Sequence, residues 1–261
     1  DAEVYVNTAV LSIDKSFQNP YLAVGDGRAE NEFRIGEQVN YQVTVNNLQK
    51  GSIARNLGIS DLSLPEGLAL DEEEGAVTVT GVPAAIQNPV AGTDDAGNEL
   101  NPENYKETVE KPVNCQVTRQ GTGWIVTISD LPYQTPVTVN FRCTAKESVN
   151  GQEIVNTAQA YADNAQAVKD TSKIWVNSPV LKVEKITDKP FYKYGDIITY
   201  RIALTQEQTG CVARNVTLHD VIDTQGVRLL KDSVVLMDEN GNVTDADVQI
   251  NDDNTFLLST G

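Results

Sequence analysis

Apolar and polar residues alternate along several short segments of this chain. From residue 38 to residue 46, every second residue is valine or tyrosine, and the residues between them are asparagine, glutamine or threonine. Segments 124–128 and 137–145 alternate in the same way. A period of two residues is typical of a β-strand with one buried face, and no helical period extends beyond about two turns. The pattern predicts an all-β chain.

Turn-forming residues separate the alternating segments. Examples are Pro65-Glu66-Gly67, Asn150-Gly151 and Asn240-Gly241. Short strands separated by such turns are typical of antiparallel β-sandwiches of the immunoglobulin-like type. We therefore expect immunoglobulin-like antiparallel β-sandwiches.

The chain contains an internal repeat. Tyr5–Lys15 returns as Trp175–Lys185, and Ala54–Asp61 returns as Ala213–Asp220. This self-similarity predicts two tandem domains of one type, residues 1–174 and 175–261, with a boundary near residues 171–177. The second copy lacks an equivalent of residues 129–164. We expect this second sandwich to be incomplete at its C-terminal end, and the chain to be a piece of a longer repeat protein.

Segment 82–111 has no clear counterpart in the second copy. Its three prolines and polar glycine-containing stretch predict a long surface loop inserted into the first domain. Such a loop is a natural place for ligand binding, and an insertion without a function is the alternative.

Three polar residues lie in the apolar phase of their segments. Lys15 shares its predicted face with Leu11, Ile13 and Phe17, and Asp61 and Asn156 are likewise in phase with apolar neighbours. In the second copy, Lys185 and Asp220 recur in the same phase. We therefore expect an amine, a carboxylic acid and a carboxamide to meet inside one domain. The alternatives are a strand-end lysine that reaches water and a plain buried ion pair.

Burial of these three groups would give them a specific chemistry. Burial disfavours charge, so it lowers the pKa of a lysine and raises the pKa of an aspartic acid. Lys15 could then be a neutral nucleophile, while a protonated Asp61 donates a hydrogen bond to the carboxamide oxygen of Asn156. Asp61 could next pass a proton to the leaving nitrogen. Ammonia would depart, and an isopeptide bond between Lys15 and Asn156 would remain.

The order of these motifs resembles that of the isopeptide-forming domains of Gram-positive pilins and surface adhesins, and it is closest to the collagen-adhesin A-type arrangement with a catalytic aspartate. After Lys15, the matching motifs are Gly36–Tyr41, Asn56–Asp61 and Asn156-Thr157-Ala158. After Lys185, they are Gly195–Tyr200 and Asn215–Asp220. The resemblance implies self-crosslinking of the first domain. It does not imply a crosslink in the second domain, because no late asparagine is present for Lys185.

The resemblance implies a structural or adhesive cell-surface protein, such as a pilus-like stalk. We expect it to be extracellular and attached to the cell wall, with its signal and anchor outside this sequence. The expected partners are other domains or subunits of a surface polymer, with a host or neighbouring-cell ligand as the further candidate. The alternative function is a ligand-binding adhesin module that uses the 82–111 loop to bind a glycan or matrix protein without a crosslink. An enzyme acting on external substrates has no supporting motif.

Charge and composition exclude further classes of partner. The net charge is -17 and His219 is the single histidine. Nucleic acid and anionic membranes would repel such a surface, so neither is an expected partner. No cofactor or metal is expected. The acidic, glycine-containing segments Asp94–Asn98 and Asp238–Asn242 lack the full spacing of a calcium loop, and hairpin turns are the favoured interpretation.

The three cysteines are Cys115, Cys143 and Cys211. Cys115 and Cys143 lie in the apolar phase of their segments, so we expect both to face a core. They are interpreted as small buried residues, or alternatively as a disulfide. This number of cysteines does not indicate the redox compartment.

Overall fold

The computed structural model describes residues 8–22, 27–89, 108–222, 225–230, 232–244, 247–251 and 254–259. The chain divides into two compact units, residues 1–178 and 179–261. Both units consist of β-strands, and no helix in the described ranges has the length and apolarity needed to cross a membrane. The fold class is all-β, as the alternating pattern predicted.

The first unit contains most of the strands. Their bounds are β1 Leu11–Gln18, β2 Glu32–Phe33, β3 Gln38–Asn47, β4 Ile53–Asp61, β5 Leu68–Leu70, β6 Val77–Thr80, β7 Ala85–Pro89, β8 Thr108–Pro112, β9 Cys115–Gln120, β10 Gly123–Pro132, β11 Val137–Ala145, β12 Gln152–Ala162 and β13 Ala165–Val176. A 3₁₀ turn at Glu147–Val149 connects β11 to β12.

All of these strands except β7 and β8 form two large sheets. The first sheet has the order β1-β3-β11-β5, and β6 also pairs with β11. The second sheet has the order β2-β13-β12-β4-β10-β9. The strand pairs are antiparallel except for the short parallel pair of β2 with β13. The unit is therefore a β-sandwich, with its core between the two sheets.

Alternation along the strands builds this core. In β3, Val39, Tyr41, Val43 and Val45 are buried while the residues between them are partly exposed. Strand β11 pairs with β3 and alternates in the same way. Burying each such side chain contributes about 1.5–3 kcal/mol, so the inward rows provide the main driving force for the sandwich.

Strand β13 runs through the segment that the repeat suggested as a domain boundary. It pairs with β12 along most of its length, from Val176 opposite Gln152 to Ala165 opposite Ala162. Ile174 and Val176 are buried in the core of the first unit. The first unit therefore includes residues beyond 174, because these alternating positions complete its second sheet.

Strands β7 and β8 form a separate antiparallel pair at the two ends of the predicted 82–111 loop. Lys111 of β8 lies 2.9 Å from the buried carboxylate of Asp130 on β10. Arg55 of β4 also forms an ion pair with Asp130. The contact of Lys111 with Asp130 attaches the base of the loop to the second sheet, whereas the pair of Arg55 with Asp130 lies within that sheet. Residues 90–107, which include Asp94–Asn98, lie outside the described residues.

The second unit contains smaller antiparallel sheets. Its strands are β14 Leu181–Thr187, β15 Tyr200–Gln206, β16 Thr217–Val221, β17 Leu236–Met237, β18 Val243–Thr244, β19 Asp247–Ile250 and β20 Thr255–Ser259. The pairs are β14 with β15, β16-β20-β19, and β17 with β18. The turn before β18 is the predicted hairpin turn. Oδ1 of Asp238 accepts hydrogen bonds from the backbone N–H groups of Asn240 and Asn242.

The prediction for Cys115 was wrong. Cys143 of β11 is buried as predicted, but Cys115 of β9 is exposed, and both are free thiols. Strand β9 is the edge strand of the second sheet and all of its residues are exposed. The period of two is present in β9, but the core does not extend to this edge. The two thiols lie in different sheets and form no disulfide.

Candidate functional site

Lys15 and Asp61 form an ion pair in the core of the first unit. Lys15 Nζ donates a hydrogen bond to Asp61 Oδ2 at 2.7 Å, and the two side chains are 0% and 1% exposed. Lys15 lies on β1 of the first sheet, and Asp61 is the last residue of β4 in the second sheet. The pair therefore connects the two sheets across the interior.

The register of β1 turns the lysine inward. Lys15 lies opposite Val43 of β3, which is fully buried, so both side chains share the core face of the first sheet. An amine at this position has no route to water, because the second sheet covers it. The alternative of a strand-end lysine that reaches solvent is excluded.

Aromatic rings surround the amine. Lys15 Nζ lies 5.0 Å from the ring centroid of Tyr41 and 4.8 Å from that of Phe141. These two rings stack with centroids 5.1 Å apart, and Trp124 packs at 5.0 Å against Phe141. The rings exclude water and attract a cation weakly through their faces. The motifs did not indicate these aromatics as site residues, although Tyr41 and Phe141 lie in the inward phase of β3 and β11.

Asn156 lies on the same inner face as Asp61. In the ladder of β12 with β4, Gln159 is opposite Ser60. Continuing this ladder places Ala158 opposite Asp61 and makes Asn156 the diagonal neighbour of Asp61 on the inner face of the second sheet. Asn156 is 0% exposed. Its Oδ1 and Nδ2 atoms, and Oδ1 of Asp61, have no hydrogen-bond partner within the described ranges.

The pKa values of the ion pair shift towards the neutral forms. Burial lowers the pKa of Lys15, and the opposing attraction to Asp61 does not cancel this effect. Burial raises the pKa of Asp61, against the opposing effects of Lys15 and of the nearby amide of Asn156. Asn156 therefore lies close enough to affect the carboxyl group, although its amide atoms lack the geometry of a standard hydrogen bond. A neutral amine beside a neutral acid is the state that both shifts favour.

The strand that carries Asn156 is not the last strand of the unit. Strand β13 follows β12 along the chain and pairs with it. Strand β13 also adds polar groups that the sequence analysis missed. Asp170 Oδ2 accepts a hydrogen bond from the backbone N–H of Lys15 at 2.6 Å. Ser172 is buried directly opposite Asn156 in the β12–β13 ladder.

Lys185 and Asp220 also meet, in the second unit. Lys185 Nζ lies 2.7 Å from both carboxylate oxygens of Asp220, and 4.7 Å from the ring centroid of Tyr200. The two side chains are 33% and 15% exposed. The repeat thus reproduces the lysine, the carboxylate and the tyrosine, but in a wetter environment. The structure places no asparagine among the described hydrogen-bond partners of Lys185.

Metal-ligating side chains do not cluster in the described part of the chain. No cluster of three or more histidine, cysteine, aspartate or glutamate side chains there could hold a metal ion.

Comparison with known proteins gives no family by sequence: no protein-family model matches the chain, and no curated protein matches it. Similar solved structures exist, and several are Gram-positive pilins and adhesin domains. BcpA, the major pilin subunit of Bacillus cereus, was solved in a variant form that is 12% identical, with 92% of this chain and 64% of that chain covered and a TM-score of 0.41. The pilus backbone protein RrgB of Streptococcus pneumoniae is 19% identical, with 59% of this chain and 31% of that chain covered and a TM-score of 0.37.

The structure of a DUF4466 family protein from Parabacteroides merdae is also similar. It is 12% identical, with 69% of this chain and 49% of that chain covered and a TM-score of 0.34. The chain spans less than two thirds of the length of each of these three structures. The identities and TM-scores are too low to assign a family or to transfer a residue's role.

Proposed function

We propose that the first unit is a structural module of a cell-surface or pilus-like stalk, and that an intramolecular bond between Lys15 and Asn156 stabilises it. Asp61 is the catalytic residue of this self-directed reaction. The observation that carries the proposal is a fully buried lysine–aspartate pair, 2.7 Å apart, beside a buried carboxamide that has no hydrogen-bond partner in the described part of the chain. Burying the carboxamide without a partner costs free energy, and the attraction between Lys15 and Asp61 only partly offsets the cost of burying those two groups.

The reaction begins from the neutral pair. The lone pair of Lys15 Nζ attacks Cγ of Asn156, while the protonated Asp61 donates a hydrogen bond to Oδ1 and stabilises the negative charge that develops there. Asp61 relays one proton from Nζ to Nδ2. The Cγ–Nδ2 bond breaks, ammonia leaves, and an Nζ–Cγ amide remains with Asp61 protonated as at the start.

The fold supplies the alignment for this reaction. The amine comes from one sheet and the acid and carboxamide from the other, so the attack becomes possible when the sandwich closes. Fixing the reacting groups in place replaces a bimolecular encounter and is worth several orders of magnitude in rate. The rings of Tyr41, Phe141 and Trp124 keep water away, which strengthens every electrostatic interaction in the site.

A Lys15–Asn156 bond would change how the unit resists unfolding. It would join β1 to β12 and enclose more than one hundred residues. A chain-entropy argument gives on the order of 5 kcal/mol for restricting the unfolded state by a loop of this size. Tension entering through β1 would pass through the covalent bond instead of separating β1 from β3. Slow unfolding and protease resistance are the properties that a surface stalk requires.

The proposal places the protein outside the cell, attached to the cell wall, with other domains or subunits of a surface polymer as its partners. The order of the Lys15, Gly36–Tyr41, Asn56–Asp61 and Asn156-Thr157-Ala158 motifs supports this placement through its resemblance to pilin and adhesin domains. Two of the similar structures are pilin proteins by description. Each molecule reacts once and acts on itself, so the protein is not an enzyme for external substrates.

Intact-mass measurement tests the proposal. The purified protein should be lighter than its sequence by the mass of one ammonia, and Lys15→Ala and Asn156→Ala should each restore the full mass. Lys169→Ala and Asn140→Ala change the same residue types at positions outside the buried site and should keep the lower mass. Proteolysis followed by fragmentation should give one branched peptide that joins Lys15 to Asn156. A wild-type protein of full mass contradicts the proposal.

A further inference from the structure

The inward phase of strand β13 carries two polar residues, of which Ser172 is buried and Asp170 is partly buried. On its inward face, Asp170 and Ser172 precede the buried residues Ile174 and Val176. Burying a polar side chain costs free energy unless it forms a hydrogen bond, so such a residue on a core-facing row calls for a partner or a function. Both residues lie next to one of the two groups that the proposed reaction joins.

Asp170 holds the backbone of the lysine. Its Oδ2 accepts a hydrogen bond from the Lys15 N–H at 2.6 Å. Strands β1 and β13 belong to different sheets, so this bond ties the edge of the first sheet to the second sheet. The tie is made at the residue whose side chain enters the site. It therefore sets where Lys15 Nζ lies relative to Asp61 and Asn156.

Ser172 lies beside the carboxamide. Asn156 and Ser172 are directly opposite each other in the β12–β13 ladder, so their side chains leave the same face with Cβ atoms about 4.5–5.5 Å apart. Within the described part of the chain, the Ser172 hydroxyl and both amide atoms of Asn156 are buried and have no hydrogen-bond partner. Three such atoms on two adjacent residues indicate groups that are poised for an interaction made during a reaction.

We propose that β13 completes the reacting site. This inference rests on the proposed Lys15–Asn156 reaction. Asp170 is a positioning residue that fixes the Lys15 backbone. The Ser172 hydroxyl donates a second hydrogen bond to Oδ1 of Asn156 as negative charge develops there, so that the charge stays stabilised while Asp61 passes its proton to the leaving nitrogen. Neither residue is consumed, and no bond to either one forms or breaks.

The rate of crosslinking during synthesis tests the role of Ser172. Protein made in a short cell-free pulse is quenched in denaturant at successive times, and intact mass gives the fraction that has lost ammonia. Ser172→Thr and Ser172→Val match in shape and differ in the hydroxyl. We expect the threonine variant to react about as fast as wild type and the valine variant to react on the order of 100-fold more slowly, as on removal of one oxyanion donor. Ser16→Ala, on the outer face of β1, is the control and should react at the wild-type rate.

Asp170 is tested in the same assay. Asp170→Ala should slow crosslinking at least tenfold relative to wild type. Asp170→Asn keeps an acceptor oxygen for the Lys15 N–H, so it should retain most of the wild-type rate. Asp14→Ala removes an exposed carboxylate next to Lys15, on the outer face, and should have no effect. Rescue by the asparagine variant identifies the hydrogen bond, as opposed to the charge, as the feature that matters.

The outcomes separate the two proposals. If the wild-type protein never loses ammonia, the proposed function fails and this inference fails with it. If the wild-type protein reacts, and the Ser172→Val and Asp170→Ala variants react at the same rate, the inference about β13 is overturned while the proposed function stands. Circular dichroism of each variant checks that its sheet content is that of the wild type.

Discussion

Lys15 Nζ lies 2.7 Å from Asp61 Oδ2, and the two residues belong to opposite sheets of the first unit. A buried ion pair of this kind is weak evidence for stability, because desolvation of the two charges offsets much of their attraction. Burial also lowers the pKa of Lys15 and raises the pKa of Asp61, so it favours the neutral forms over the ion pair. A reactive role explains the arrangement better than a purely structural one.

Asp61→Asn should abolish the crosslink. The asparagine keeps the shape of the side chain but cannot relay a proton, so the protein should keep the full mass of its sequence. It should also be less stable than the Asn156→Ala protein, which lacks the crosslink but keeps the Lys15–Asp61 pair, since removing one member of a buried ion pair typically costs about 3–5 kcal/mol. Intact mass and urea unfolding measure the two effects. Asp14→Asn is the matched control, and a crosslinked Asp61→Asn protein would contradict the catalytic role.

The rate of crosslinking should depend on pH as a bell-shaped curve. Lys15 and Asp61 share one proton in the reactive state, so the rate should be flat at intermediate pH. It should fall at low pH, where both groups are protonated, and at high pH, where neither is. The pulse assay over a pH series measures the curve. A rate that rises continuously with pH would show that Asp61 does not have to be protonated.

The stability of the Asp61→Asn variant should also depend on pH. In this variant Lys15 titrates without its acidic partner, and burial holds its pKa below the ordinary value of 10.5. The unfolded state then binds more protons than the folded state between the lowered folded pKa and 10.5. Stability should therefore rise with pH through this window. Urea unfolding over a pH series should show that the stability of Asp61→Asn rises with pH in this window. The stability of Lys15→Met/Asp61→Asn, which lacks the amine, should not rise.

Much of the site could be predicted from the period of two residues. Alternation alone placed Lys15, Asp61 and Asn156 on inward faces, and the structure buries all three. The same rule was wrong for Cys115, because alternation does not reveal that β9 is an edge strand with neither face covered. Phase within a strand is a local property, whereas coverage by a second sheet depends on the order of the strands.

The contribution of β13 could not be predicted for a related reason. The repeat predicts that a second domain begins at Trp175–Lys185. The residues just before it were therefore interpreted as a boundary between domains. Asp170 and Ser172 become visible as site residues only when the pairing of β12 with β13 is known. The pairing of strands that are distant in sequence decides which polar groups meet.

Loss of the crosslink should speed unfolding and proteolysis. Asn156→Ala removes the carboxamide and leaves the Lys15–Asp61 pair unlinked to β12. We expect the free energy of unfolding to fall by up to about 5 kcal/mol from the chain-entropy effect, and the unfolding rate to rise. Unfolding kinetics in guanidinium and digestion by a nonspecific protease measure this change. Asn140→Ala, on the outer face, should leave both rates unchanged.

Asp130 should control the base of the 82–111 loop. Burial raises the pKa of this carboxyl group, but hydrogen bonds from Lys111, Ser129 and Arg55 outweigh burial and hold the pKa below 3.8. The attachment should therefore persist above pH 3.8 and weaken as pH falls below that value. Asp130→Asn should release β8 from β10 and speed proteolytic cleavage within residues 82–111 at neutral pH. Mass spectrometry of timed digests locates the cuts, and Asp163→Asn is the control.

Gly123 should be essential for the position of Asp61. A Cβ atom added at Gly123 would lie 1.7 Å from the backbone oxygen of Asp61, a distance that only a backbone shift can relieve. Gly123→Ala should therefore push the end of β4 away from β10 and move the Asp61 carboxyl group relative to Lys15. Because a small misplacement of a reacting group has a large effect on rate, we expect crosslinking to slow by on the order of 100-fold. The pulse assay measures the rate, and Gln120→Ala, an exposed change in the same turn, should react as the wild type does. A Gly123→Ala protein that folds and crosslinks at the wild-type rate would show that the end of β4 does not have to be held in place.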